Sequence, residues 1–193
     1  PEHRFPAAVE DCAAAAKWAF AAAAQLGFDP ARIGLAGDSA GGNLAAVTAQ
    51  GFKRAGDQRL KAQLLIYPCT QFVLMTPSQL RLKEGYMLTQ AAQDFFKDTY
   101  LSRREDAYDV RASPLLENDL GGLPAAMVVT AGFDPLLDEG KAYAEKLAAC
   151  GVPTVLKSYP SQVHGFFNMT AVSRSAKQAI EACGTWLGET LRR

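Results

Sequence analysis

The chain has 193 residues, of which 49% are apolar and 21% are charged, and its 20 basic and 20 acidic side chains give a formal net charge of zero. This length and composition suit one globular domain with a sizeable core. A balanced charge gives no electrostatic reason to expect nucleic acid as a partner, and no apolar run reaches the roughly 18 residues of a membrane span.

Cysteine usage argues against a metal site. The four cysteines, at positions 12, 69, 150 and 183, form no C-x-x-C pair and suit neither zinc binding nor a dense disulfide framework. We interpret them as buried free thiols in a reducing compartment, which favours a cytoplasmic location. No cofactor motif is present either, because the chain has no G-x-x-x-x-G-K-[ST] and its glycines at 34, 37 and 41 do not form G-x-G-x-x-G, so no cofactor is expected.

The first elements predicted are a helix, a turn and a strand. Residues 6–26 are rich in alanine and begin with proline, which suits a first helical turn, and Gly27 suits the end of that helix. A turn at Asp29-Pro30 leads into a short apolar strand over 32–36.

A serine motif follows that strand directly. Gly37-Asp38-Ser39-Ala40-Gly41 reads G-x-S-x-G and is followed by an Ala-rich stretch, 42–49, that predicts a helix. Strand, sharp turn and helix form the setting of a nucleophile elbow, which exposes a serine hydroxyl at the carboxyl edge of a sheet. The flanking glycines are expected where backbone passes backbone without room for a Cβ. The alternative is an ordinary Gly-rich turn between strand and helix.

The rest of the chain continues the alternation of strands and helices. Strands are predicted over 62–67, 125–131 and 154–159, and helices over 138–150 and 173–191. The middle strands are apolar throughout, as in a parallel sheet covered on both faces, whereas 154–159 alternates and suits an edge. The sequence therefore predicts an α/β fold, a parallel sheet with helices on both faces.

Residues 71–122 interrupt this rhythm. They exceed what one crossover helix requires and mix aromatic with charged side chains, so we interpret them as a cap or lid over the carboxyl edge. The alternative is a crossover with a long surface excursion. In either case 1–193 is read as a single domain.

The order of three residue types predicts a serine hydrolase. A serine nucleophile needs a base, normally histidine oriented by a carboxylate, and the α/β-hydrolase order is Ser, Asp or Glu, then His. After Ser39 only His164 remains as a base, although a lone histidine is usually structural. Asp134 comes first on the loop after the third predicted strand; Asp138 and Glu139 compete with it, but both suit the first turn of the next helix. One oxyanion donor would be the Ala40 N–H.

Four blocks stand in a fixed order along the chain: Pro1-Glu2-His3-Arg4-Phe5-Pro6-Ala7-Ala8, Gly37-Asp38-Ser39-Ala40-Gly41-Gly42-Asn43, Asp134-Pro135-Leu136-Leu137-Asp138-Glu139-Gly140 and His164-Gly165-Phe166. Together they resemble the hormone-sensitive-lipase family of α/β-hydrolases, the bacterial family IV esterases. The resemblance implies a metal-independent carboxylesterase acting on a small acyl ester, with Ser39 as nucleophile, Asp134 as acid and His164 as base. It also implies that 71–112 belongs to the cap.

The resemblance carries one departure. Family members have an N-terminal part, ahead of the Pro-Glu-His-Arg block, that supplies the first strands, part of the cap and a His-Gly-Gly-Gly oxyanion loop. The sequence therefore resembles the C-terminal portion of a longer protein and is expected to be impaired alone. A missing strand would pair with 32–36. Family members also often form homodimers through the last strand and helix, here 154–159 and 173–191.

Two other functions stay open on the same scaffold. The triad does not distinguish an ester from an amide, so a peptidase or another acyl transferase is an alternative. A non-catalytic binding protein is a further one, since the plant gibberellin receptors resemble these esterases but lack the catalytic histidine.

Overall fold

The structure, a computed structural model, describes residues 2–192, so Pro1 of the first family block lies outside the described residues. Four parallel strands form one sheet in the order β1-β2-β3-β4. The strands are β1 (Gly34–Asp38), β2 (Ala62–Ile66), β3 (Ala125–Phe133) and β4 (Thr154–Val163). The helices within these residues are α1 (Ala7–Leu26), α2 (Ala40–Arg54), α3 (Pro77–Arg81), α4 (Gln90–Tyr100), α5 (Leu137–Ala149) and α6 (Arg174–Thr190).

The central strands bury side chains on both faces of the sheet. Successive residues of a strand point to opposite faces, and Leu64 and Leu65 of β2 accordingly belong to two separate core clusters. One cluster lies under α1, α2 and α5, and the other lies under α6. The predicted parallel α/β sheet with helices on both faces is therefore confirmed, and β4 lies at an edge as its alternation predicts.

Helix α6 covers its face of the sheet with small residues. Ala176, Ala179 and Cys183 are buried against the cluster that includes Met127 and Val129 of β3. These three helical positions recur at intervals of three and four, so they share one face of the helix. The Ser173 hydroxyl accepts a hydrogen bond from the Ala176 N–H and caps the first turn.

Several predicted boundaries were wrong by a few residues. Arg32 belongs to a 3₁₀ turn over Pro30–Arg32 rather than to the strand, because the Asp29 carboxylate accepts the Ala31 N–H and holds that turn. Strand β1 therefore starts at Gly34 and runs directly into the serine turn. Helix α2 begins at Ala40, two residues earlier than predicted.

Strands β3 and β4 are longer than predicted, and they bulge where they pair. Ladder pairing shifts register between Ala131 and Phe133, and both strands then continue to Phe133 and Val163. A Cβ at Gly132 would overlap the backbone of Pro160, so only glycine allows this close approach. As a consequence, Asp134 and His164 each follow a strand without an intervening loop.

The segment between β2 and β3 contains α3 and α4, and it turns back toward the ends of the strands. The Tyr86 ring stacks on Phe133 at the end of β3, with 5.2 Å between ring centroids. Its last part, 113–122, lies deeper, because Leu120 is fully buried in the core cluster under α2 and α5. The segment thus begins beside the strand ends and finishes in the core.

Within residues 2–192, no helix combines the length and the hydrophobicity that crossing a bilayer requires. All four cysteines are free thiols. Only Cys183 is fully buried; the other three are partly buried, so the predicted burial was right for one of the four.

Candidate active site

Ser39 lies on a sharp turn between β1 and α2. Its backbone angles, φ 56° and ψ −117°, fall in a region that L-residues rarely adopt. The turn is held on both sides: the Ser39 N–H donates to the Ile66 carbonyl at 2.8 Å, and the Ser39 carbonyl accepts the Asn43 N–H at 3.1 Å. Strain that the surroundings enforce in this way is typical of functional positions.

The glycines around Ser39 differ in how much space a Cβ would have. A Cβ at Gly37 would overlap the Gly41 carbonyl group, so the expected close passage of backbone is present. At Gly42 a Cβ would lie 2.9 Å from the Pro68 side chain. At Gly41 itself, a Cβ would meet no described atom within 4 Å apart from its chain neighbours and the nearby backbone of α2, so the expectation of crowding was wrong there.

Ser39, His164 and Asp134 form one chain of hydrogen bonds. The His164 Nε2 lies 2.9 Å from the Ser39 Oγ, and the His164 Nδ1 lies 2.7 Å from the Asp134 Oδ2. The three residues follow β1, β4 and β3 and are far apart in sequence, but the carboxyl ends of parallel strands share one edge of the sheet. The side chain of His164 is 12% exposed, and that of Asp134 is 1% exposed.

Asp134 is fixed on its other oxygen as well. The Asp134 Oδ1 accepts the Leu136 N–H at 2.8 Å, so the carboxylate has a hydrogen-bond donor on each side. Two fixed donors leave little rotational freedom to a carboxylate that is this deeply buried. The His164 ring is therefore aligned by a group that cannot turn away.

The two competing acids point elsewhere. The Asp138 carboxylate accepts the Ser78 N–H at 2.7 Å, and the Glu139 carboxylate accepts the Thr70 N–H at 2.7 Å. Neither has a hydrogen bond to His164. Both acids thus bind the segment that follows β2, a role that their position in the first turn of α5 did not predict.

The Tyr67 ring packs against the His164 ring, and the sequence did not identify Tyr67 as part of the site. Its ring centroid lies 4.8 Å from that of His164, and its hydroxyl donates to the Asp38 carboxylate at 3.4 Å. Burial, with Asp38 as a further cause, raises the pKa of Tyr67 well above the usual range, so the group stays a neutral donor. Its positive φ of 35° could not be read from the sequence.

Asn43 is a second residue that the sequence did not identify. Its Nδ2 donates to the Cys69 carbonyl at 2.9 Å and to the Ala112 carbonyl at 2.8 Å, and the side chain is almost fully buried. One amide thus ties α2 to both ends of the segment 69–112. A polar residue in an apolar helix was the available signal, since buried amides are kept where they are hydrogen-bonded.

A cavity of about 670 Å³ opens beside the Ser39 hydroxyl. The Ala40 N–H adjoins it; as the first residue of α2, Ala40 has an amide without an intrahelical acceptor. Most of the other lining side chains come from the segment after β2, and many are apolar: Phe72, Val73, Leu74, Met75, Leu88 and Phe96. Within residues 2–192, no cluster of three or more His, Cys, Asp or Glu is placed to hold a metal ion.

A family model described as the alpha/beta hydrolase fold matches residues 1–168. The chain belongs to this alpha/beta hydrolase family. Its resemblance to the hormone-sensitive-lipase branch is confirmed by the curated relatives: the chain is 43% identical over 175 residues to "Carboxylic ester hydrolase LipN" of Mycobacterium tuberculosis, covering 88% of this chain and 46% of that protein. It is 39% identical over 183 residues to "Arylesterase" of Saccharolobus solfataricus, covering 94% and 60%.

Solved structures of alpha/beta hydrolases superpose closely on the chain. The carboxylesterase EstE1, cloned from a metagenomic library, matches with a TM-score of 0.97 and 43% identity, covering 99% of this chain and 66% of that one. By comparison, the chain spans about half to three-fifths of the length of the two curated relatives, the LipN hydrolase and the arylesterase.

Proposed function

We propose that this alpha/beta hydrolase hydrolyses carboxylic esters, with Ser39 as nucleophile, His164 as general base and Asp134 as the orienting acid. The observation that carries the proposal is the unbroken hydrogen-bonded chain from the Ser39 Oγ through the His164 ring to the buried Asp134 carboxylate. The names of the relatives, an ester hydrolase and an arylesterase among them, support ester hydrolysis as the reaction.

The hydrogen bonds support one order of proton transfers. Asp134 is an acceptor, so the His164 Nδ1 carries the proton that it donates, and the Nε2 is left free to accept the Ser39 hydroxyl proton. The Ser39 Oγ then bonds to the ester carbonyl carbon and a tetrahedral oxyanion forms. Collapse of this intermediate breaks the bond to the alcohol oxygen, which leaves with the proton held on His164. A water molecule, deprotonated by His164, repeats the sequence and releases the acid from Ser39.

The cavity supports a small acyl ester as the substrate class. Its walls are mainly apolar and Ser39 lines it, which favours binding of an acyl chain among the side chains of the segment after β2. We assign residues 71–112 of that segment to a cap, because its helices line the cavity whereas 113–122 enters the core.

We propose the Ala40 N–H as one oxyanion donor. With Ala40 as the single donor, we expect turnover on the order of 10²–10³ below that of a site with two donors. β1 lies at an edge of the sheet formed by the described residues, and the relatives are longer. We therefore propose that a further, N-terminal segment pairs with β1, and that adding one from a relative raises turnover.

The other edge suits a contact between two copies of the chain. β4 is an edge strand of the described sheet, and α6 lies on the adjacent face. Leu156 on β4 and Ile180 on α6 are both about two-fifths exposed. We propose a homodimer through these elements. The test compares the sedimentation of the wild type with that of Leu156→Lys, which places a charge in the proposed contact.

A fluorophosphonate probe, which reacts only with an activated serine, tests the catalytic role. We expect the wild type to be labelled and Ser39→Ala not to be, while Ser161→Ala, which removes an exposed serine hydroxyl, keeps full labelling. Labelling that persists in Ser39→Ala would contradict the assignment. A wild type that is folded but never labelled would favour the non-catalytic binding protein instead.

A second assay separates the esterase from the peptidase or acyl-transferase alternative. Turnover of 4-nitrophenyl acetate is compared with turnover of 4-nitroacetanilide, which has the same acyl group on an amide. We expect hydrolysis of the ester alone. Anilide hydrolysis at a comparable rate would favour the peptidase.

A further inference from the structure

Glu139 is a buried carboxylate that the proposed reaction does not use. It lies in α5, five residues after Asp134, and is only 1% exposed. Four donors from the segment after β2 converge on its two oxygens. The Thr70 N–H and the Gln71 N–H reach Oε1 at 2.7 and 3.4 Å, and the side-chain amides of Gln71 and Gln79 reach Oε2 at 3.4 and 3.2 Å.

The two amide donors cannot be reversed. The Gln71 Oε1 accepts the N–H groups of Val73 and Leu74, both at 2.7 Å, and the Gln79 Oε1 accepts the Thr76 N–H at 2.9 Å. Turning either amide over would set an NH₂ group against backbone N–H groups. Glu139 therefore faces donors at both oxygens, and only an ionised carboxylate accepts from all of them.

The donors belong to the wall of the cavity beside Ser39. Gln71 and Gln79 line the cavity themselves, and the residues between them supply Phe72, Val73 and Leu74. We propose that Glu139 is a positioning residue for ester specificity: its ionised carboxylate holds the wall formed by 70–79 at the distance from Ser39 that suits a medium-length acyl chain. This rests on the proposed esterase function.

The surroundings of Glu139 make its ionisation costly. Within residues 2–192, no Lys, Arg or His nitrogen lies within 4 Å of its carboxylate. The titratable groups near it are Asp134, Asp138 on its own helix and the thiol of Cys69, while α3 and α4 contribute amides. Burial raises the pKa of Glu139 to about 8, against the lowering effect of the Thr70 and Gln71 donors.

A buried carboxylate whose ionisation is costly is expected where the group serves function rather than stability. Below about pH 8 Glu139 takes up a proton, loses acceptor capacity at one oxygen and releases part of the wall. The acyl preference should therefore depend on pH. The ionisation of the triad acts on every ester alike, so it cancels in a ratio of kcat/KM values for two substrates.

The test measures kcat/KM for 4-nitrophenyl hexanoate and 4-nitrophenyl acetate from pH 6.5 to 9. One buried methylene contributes about four-fold, so losing contact with two of them lowers the hexanoate-to-acetate ratio by about ten-fold or more. We expect Glu139→Gln to lower the ratio by this amount at pH 9 and to make it independent of pH. In wild type the hexanoate-to-acetate ratio should rise with pH, toward the higher value expected when Glu139 is fully ionised.

Two variants accompany Glu139→Gln. Glu145→Gln makes the same chemical change at an exposed position of the same helix and should behave as wild type. Gln79→Glu keeps the acceptor for Thr76 but replaces a donor to Glu139 with a like charge, which moves the change of ratio to higher pH. It also provides the test should Glu139→Gln fail to fold.

Hydrogen exchange tests the clamp without any turnover. At pH 9, where Glu139 is ionised, we expect the peptide 67–80 to exchange about ten-fold faster in Glu139→Gln than in Glu145→Gln, with peptides from β3 unchanged. Unchanged exchange in 67–80, or equal acceleration over the whole chain, would overturn the positioning role, as would an unchanged ester ratio. If no variant hydrolyses either ester, the proposed function fails, and the exchange result still decides whether Glu139 holds the wall.

Discussion

Replacing Gly37 with alanine should damage both the stability of the chain and the placement of Ser39. The new Cβ would overlap the carbonyl carbon and oxygen of Gly41 and would lie 2.9 Å from the Gly42 nitrogen. All three are backbone atoms in the first turn of α2, so no side-chain rotation can relieve the overlap. Overpacking of this kind costs about 1–3 kcal/mol.

The same overlap displaces Ser39, the proposed nucleophile. Restoring ordinary contact moves the Gly41 carbonyl, and with it the start of α2, by about 1 Å, and misplacement on that scale costs about 10²-fold in rate. The Ser39 Oγ, now 2.9 Å from the His164 Nε2, would leave hydrogen-bond range.

The assay combines thermal unfolding, followed by circular dichroism, with the rate of fluorophosphonate labelling. At about 2–4 °C per kcal/mol for a chain of this size, we expect Gly37→Ala to lower Tm by about 2–12 °C and labelling by about 10²-fold. Gly41→Ala is the matched control in the same pentapeptide, because its Cβ meets no described atom within 4 Å apart from its chain neighbours and the nearby backbone of α2. If Gly37→Ala and Gly41→Ala share one Tm and one labelling rate, the steric reasoning is refuted.

Three further predictions concern the proposed triad, metal ions and pH. Asp134→Asn should lower kcat by about 10⁴-fold in steady-state ester hydrolysis, because the His164 tautomer is no longer fixed; a loss under ten-fold would contradict this. Dialysis against a chelator should leave hydrolysis unchanged, and a loss restored by one metal would argue otherwise. Because the pKa of Glu139 rises from 4.5 to about 8 on folding, its contribution to stability decreases as pH rises through that window. Tm should therefore decrease less from pH 5 to 8.5 in Glu139→Gln than in Glu145→Gln, and equal decreases would count against it.

The sequence predicted most of the fold because its signals are local. Apolar runs of strand length, Ala-rich helices and the Gly at 37 in a strand-turn-helix setting depend on neighbouring residues only. The predicted ends of strands were less accurate where contacts with residues distant in sequence decide where a strand stops. The bulge between β3 and β4 lengthens both strands, and it depends on Gly132 meeting Pro160, 28 positions further along the chain.

The sequence alone determined which residues can carry the chemistry. With one histidine after Ser39 and one acid at the head of the loop, residue type and chain order left few choices for the proposed triad. Chain order says nothing about distance, however. That the His164 ring reaches both Ser39 and Asp134 is decided by the parallel sheet, which brings three strand ends to one edge.

The tertiary structure decided what each of the three acids binds. Asp134, Asp138 and Glu139 lie within six positions, and the sequence ranked Asp134 first by its order on the loop and by the helical position of the other two. Asp134 lies between the end of β3 and the start of α5 and reaches His164, whereas Asp138 and Glu139 lie in the first turn of α5 and reach the segment after β2. A hydrogen bond depends on direction and on what surrounds the group. The sequence therefore named the acids, and packing assigned each one its partner.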